Sequence, residues 1–76
     1  MKVRTVFDGA EWRIYYVSID NFVDDLPELG KVLEEVSSYG RVVAVVPNIG
    51  LTKTSVVFGT SFQGVKGLAL VVEKSG

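Results

Sequence analysis

Residues 25–46 read DLPELGKVLEEVSSYGRVVAVV, and two different periods meet inside them. Up to Tyr39 the apolar residues Leu26, Leu29, Val32, Leu33, Val36 and Tyr39 recur at spacings of three and one. That spacing draws one stripe along a helix, with Lys31, Glu34, Glu35 and Ser38 mostly off it. From Val42 to Val46 the period vanishes into an unbroken apolar run. Such a run reads as a strand apolar on both faces, central in its sheet and covered on both sides. Gly40 separates the two segments and suits the left-handed C′ position that ends a helix. At the other end Asp25 fits the N-cap and Glu28 the N3 position of a capping box. Pro27 then falls in the first turn, where its missing N–H has no intrahelical partner to lose. Gly30 weakens the helix by about 1 kcal/mol relative to alanine, and close packing of the helix on a sheet is one reason to keep it.

On the N-terminal side, Val3 to Phe7 is short, apolar and β-branched, and Asp8-Gly9 is a strong turn signal. Glu11 to Ile19 follows as a longer strand, with Trp12, Ile14 and Tyr16 on one side and Arg13, Tyr15 and Val17 on the other. On the C-terminal side, Pro47-Asn48-Ile49-Gly50 ends the strand that begins at Arg41. Lys53 to Phe58 forms a further strand, Gly59 to Gly67 a glycine-rich connection, and Leu68 to Glu73 the last strand. The expected fold is therefore a single α+β domain spanning residues 1–76. It has an antiparallel-rich four- to five-stranded sheet, in chain order ββαβββ, with one helix packed on one face.

Several of these segments together resemble a known family. They are the strand Trp12 to Ile19, the helix ending Ser38-Tyr39-Gly40, the strand Arg41-Val42-Val43-Ala44-Val45-Val46-Pro47-Asn48, and the final Leu68-Ala69-Leu70-Val71-Val72-Glu73-Lys74. Their order is similar to that of the small family catalogued as domain of unknown function 4177, over roughly two-thirds of the chain. The chain departs from that pattern in its N-terminal hairpin strand, in Arg41 where an aromatic residue is expected, and in the additional strand Lys53–Phe58. The resemblance implies a sheet with one helix and carries no chemistry.

The residue inventory excludes much. Histidine and cysteine are both absent, which removes the usual near-neutral general base, the commonest metal ligand, thiolate zinc sites and Ser–His–Asp or Cys–His triads. Ser37, Ser38, Ser55 and Ser61 have no evident activating partner. Asp20, Asp24, Asp25 and Glu28 could bind a hard cation, but acids at a helix start are explained by capping and the macrodipole. Gly59 to Lys66 has the two-glycine spacing of a phosphate-binding loop. Yet the lysine comes one residue late, Gly67 replaces the hydroxyl residue, and a strand follows where the cradle needs a helix. Trp12, Tyr15, Tyr16 and Phe62 beside Arg13, Lys53 and Lys66 could stack bases, but aromatics in strands serve first as core or interface. No enzyme, metal or cofactor is expected.

The net charge is −1, so nothing global draws the chain to nucleic acid or membrane. The distribution is uneven: residues 1–35 carry eight acids against four bases, whereas Val36 to Val72 holds only Arg41, Lys53 and Lys66. Those three are the candidate anion-binding residues, through the loops at 47–53 and 59–67, with phosphate or single-stranded nucleic acid as the ligand. The scarcity of Asn, Gln, Met and Cys points to a heat-adapted source. The lack of cysteine, signal segment and membrane span fits a cytoplasmic protein.

The most informative feature is an excess of apolar strand surface. One helix covers one side of a sheet, yet Val42, Ala44 and Val46 alternate with Val43 and Val45, and Leu68, Leu70 and Val72 with Ala69 and Val71. An uncovered apolar face marks a contact. The expectation is a structural or interaction module whose partner is itself, most simply a two-fold dimer through Val43, Val45, Ala69 and Val71. Another protein partner is the next choice, ahead of nucleic acid, and no membrane is involved. The alternative function is the small-ligand or anion binder just described.

Overall fold

A computed structural model describes residues 1–55 and 59–75. Strands Lys2–Asp8 (β1) and Trp12–Ser18 (β2) form an antiparallel hairpin across the Asp8-Gly9 turn, where the Gly9 N–H donates to the Trp12 carbonyl at 2.8 Å. Helix Phe22–Ser37 (α1) follows, then strands Gly40–Ser55 (β3) and Gly59–Lys74 (β4). The sheet is antiparallel throughout, in the order β1-β2-β4-β3. The α+β class, the hairpin and the single helix match the sequence reading, but among the described residues the sheet has four strands rather than the five of the order ββαβββ.

That difference comes from Pro47 and the glycines after it. The reading ends a strand at Pro47 and puts a loop at Gly59–Gly67. Instead β3 runs straight through Pro47, which pairs with Leu68, and β4 begins at Gly59. Proline is tolerated because β3 is an edge strand, with β4 as its only neighbour among the described residues. The expectation of a central, doubly covered strand at Arg41–Val46 is thus corrected: the central strands are β2 and β4. Of the expected strand Lys53–Phe58, residues 53–55 belong to β3, and Val56, Val57 and Phe58 lie outside the described residues.

A bulge explains why β3 looked apolar on both faces. Val42 pairs with Val72 and Ala44 with Val71, so Val43 is the extra residue. A bulge reverses the alternation, and Val42 and Ala44 fall on opposite faces. By register, Val42 and Val45 lie on the helix side with Val72 and Leu70, while Ala44 and Val46 lie on the other with Val71 and Ala69.

The core sits between α1 and the sheet. Tyr15, Val17, Ile19, Leu70 and Val72 are buried on the helix side, and Val36 is the buried helix residue. Leu29, Val32 and Leu33 pack against them. The middle of the predicted stripe therefore works as expected, while its ends, Leu26 and Tyr39, are exposed.

Both helix boundaries differ from the reading. The N-cap is Asn21, not Asp25: its side chain accepts from the Asp24 N–H at 3.1 Å. The Asp25 carboxylate instead reaches back to the N–H groups of Asp20 (3.0 Å) and Asn21 (3.4 Å). With the start moved to Phe22, Pro27 is the sixth helical residue, and the Val23 carbonyl loses its intrahelical donor. Asn21→Ala should therefore cost about 1 kcal/mol. Chemical denaturation of Asn21→Ala and Asp25→Ala checks the assignment; equal stability of Asn21→Ala and the parent chain would contradict it. At the far end Ser38 is the C-cap, and Gly40, which is not left-handed, opens β3.

A candidate interaction face

The helix covers one side of the sheet; the other has no layer over it among the described residues. Register fixes what this open face carries. One end holds Phe7 and Ile14 on the hairpin, Val71 on β4 and Ala44 on β3 as one apolar row, flanked by Trp12, Glu73 and Arg41. The next row is Arg4, Tyr16, Ala69 and Val46, and the last to cross all four strands is Lys2, Ser18, Gly67 and Asn48, beyond which β3 and β4 continue as a pair. Phe7 is 51% exposed, Val46 53% and Trp12 40%, values of surface rather than core.

The polar corner of this face is built by one close approach. The Tyr16 ring lies across Gly67, where a Cβ would collide with the ring and its hydroxyl. Asn48 Nδ2 donates to that hydroxyl at 3.0 Å, tying β2 to β3 over β4. Beside it, Lys2, Val3, Arg4, Tyr16 and Ser18 line a recess of about 310 Å³. No acid pairs with Lys2 or Arg4 among the described residues, whereas Arg41 lies 3.7 Å from Glu73.

The four residues proposed for an interface are not on one surface. Ala69 and Val71 belong to the open face. Val43 is the bulge residue, and Val45 shares the helix side with Leu70, although both are well exposed, at 41% and 47%. Phe7, Ile14, Ala44 and Val46 complete the open face. The alternation of β2 pointed to Ile14, but finding Ala44 and Val46 required the bulge.

The three candidate anion residues are also scattered. Lys53 pairs with Thr60, Lys66 stands beside Gly67, and Arg41 pairs with Glu73. Along β4 these positions are six and seven residues apart, about 20 and 23 Å. The Lys66 carbonyl accepts from Ile19 N–H at 2.9 Å; the Lys53 side chain lies outside the described residues. Residues 59–74 form one strand, so no phosphate-cradling helix follows Gly59–Lys66. Of the base-stacking candidates, Trp12 and Tyr16 share the open face, Tyr15 is in the core, and the Phe62 side chain lies outside the described residues.

A charge cluster that the sequence did not announce closes the opposite end of the helix side. Asp8 accepts from Arg13 through Nε and Nη2, both at 3.3 Å, and pairs with Lys74 Nζ. Arg13 Nη1 donates to the Tyr15 hydroxyl at 3.0 Å, and its guanidinium lies 5.9 Å from the Tyr15 ring centre. Hydrogen bonds from Lys74 and then Arg13 hold the Asp8 carboxyl below its ordinary range. The Tyr15 hydroxyl and then Asp8 push the Arg13 guanidinium higher still. Both cations engage the one carboxylate, so the cluster reads as a clasp between the hairpin and β4. Among the described residues no group of acids is placed to hold a metal, and no helix is long and apolar enough to cross a membrane.

Comparison with known proteins finds no matching family model, no matching curated protein and no matching solved structure. The likeness to domain of unknown function 4177 rests on its quoted sequence segments alone.

Proposed function

We propose that this chain is a non-catalytic interaction module that self-associates through the open face of its sheet. One observation carries the reading: Phe7, Ile14, Ala44, Val46, Ala69 and Val71 form a continuous apolar area on the side away from the helix. A contiguous apolar surface of this kind is unfavourable in water and is typical of a contact. The anion-binding alternative has less support, because its three cations are strung along the β3–β4 ladder. A cytoplasmic setting is part of the proposal and rests on composition alone.

Val71→Lys tests the reading. Val71 lies on a central strand, in the apolar row of the open face and outside the helix-side core, so the charge should block association while leaving the fold intact. Light scattering at micromolar concentration should give a multiple of the chain mass for the parent and a single-chain mass for the variant. A single-chain mass for the parent across that range would remove the proposal. A specific contact should bury about 800 Å² per partner.

A further inference from the structure

Resting on the reading that the open face self-associates, we infer that its occupant is the outer face of the helix of a second copy, so that copies stack head to tail. Charge is the first argument. The open face carries Lys2, Arg4 and Arg41 against Glu73 alone, and Arg41 already accounts for Glu73. Two such faces pressed together would bring like charges into one contact. The helix layer has the opposite sign: Asp24, Glu28, Glu34 and Glu35 are exposed there, Asp20 is paired with the N-terminal ammonium at 3.2 Å, and Lys31 is the one basic side chain of the helix. Opposite potentials meeting across a contact select a partner and its orientation.

Shape is the second argument. Val23, Pro27, Gly30 and Glu34 follow at spacings of four, three and four, which places them on one line along the outward side of α1. Val23 is 71% exposed, a large apolar residue with no cover in its own chain. A Cβ on Gly30 would meet nothing within 4 Å. Packing against the sheet therefore does not explain this glycine, although glycine is a poor helix former. A line with small residues in its middle lets another backbone approach closely. The lengths also agree: the 16-residue helix is about 24 Å long and the seven-residue strand β2 about 23 Å. A helix laid there would give the sheet a layer on each side.

Such a contact joins two different surfaces, and a bound pair still offers one of each, the face on one copy and the helix on the other. Mass should therefore grow with concentration past two chains unless a ring closes, and should fall as salt screens the charges. The decisive experiment uses two full-length variants, Val71→Lys to block the face and Val23→Lys/Glu34→Lys to block the helix, with circular dichroism confirming that both are folded. In sedimentation each alone should run as one chain. Mixed in equal amounts they should give two chains and no more, because one intact helix meets one intact face. A helix variant that still associates like the parent would overturn this inference and leave the open-face reading standing. A face variant that still associates would remove both. A parent fixed at two chains at every concentration and salt, or folded variants that stay apart on mixing, would also overturn the stacking. So would a parent that stays monomeric yet binds a single-stranded oligonucleotide, which would assign the face to nucleic acid.

Discussion

Leu70→Ala is expected to lower the free energy of unfolding by about 2–5 kcal/mol. Leu70 is completely buried, with Tyr15 of β2 on one flank and Val45 of β3 on the other. Helix residues close the cluster from above. The cavity left by the missing atoms could not collapse easily, because β4 is hydrogen-bonded to strands on both sides and the packed helix is tied into the chain at both ends. A 76-residue domain has about 4–11 kcal/mol in total, so this one change would remove a large share. Urea denaturation measures it. A loss under about 1 kcal/mol with an unchanged slope would mean that the helix does not rest on this residue.

Gly40→Ala should be the second severe change, at roughly 1–3 kcal/mol. A Cβ at Gly40 would fall inside contact distance of the Glu73 carbonyl oxygen and lie 2.9 Å from Val72 Cγ1. The first obstacle is backbone, fixed by the pairing of Gly40 with Lys74 and Arg41 with Glu73. It cannot swing aside as a flexible side chain could. Gly30→Ala supplies the contrast: with open space around it, alanine should stabilise the separated chain by about 0.5–1 kcal/mol. Thermal melts of the two variants should move in opposite directions. A harmless Gly40→Ala would show that the β3–β4 start is looser than the register implies.

These two glycines show how far the sequence could be read. Gly40 was correctly seen as a boundary, but for a conformation it does not adopt; the requirement for glycine is a close approach from β4, which no local pattern reveals. By sequence alone, packing against the sheet is one reason to keep Gly30, yet the residue is exposed and a Cβ there would meet nothing. The stripe Leu29, Val32, Leu33 and Val36 was legible because each residue answers to one period and one buried face. The helix start was not, because Asn21 and Asp25 are both competent caps and only the geometry separates them. Pro47 and the glycines of β4 suggested breaks that an edge ladder absorbs. The surplus of apolar strand surface was visible, but its membership was not: the bulge at Val43 reverses the alternation, so Val43 and Val45 were assigned to a face that Ala44 and Val46 occupy.

The irregularities along the outer strands have one more consequence. A sheet with straight, unguarded rims invites further strands to add on, and that route leads to aggregation and amyloid. Here β1 is interrupted between Thr5 and Phe7, where Val6 has no partner, and carries Lys2 and Arg4 near one end. On the other side β3 is broken by the Val43 bulge, and Pro47 has no N–H to offer an incoming strand. Along the four-stranded part of the sheet neither rim is a clean template. At high concentration the chain is thus steered away from strand-by-strand growth, and reversible assembly is left to surfaces other than the rims.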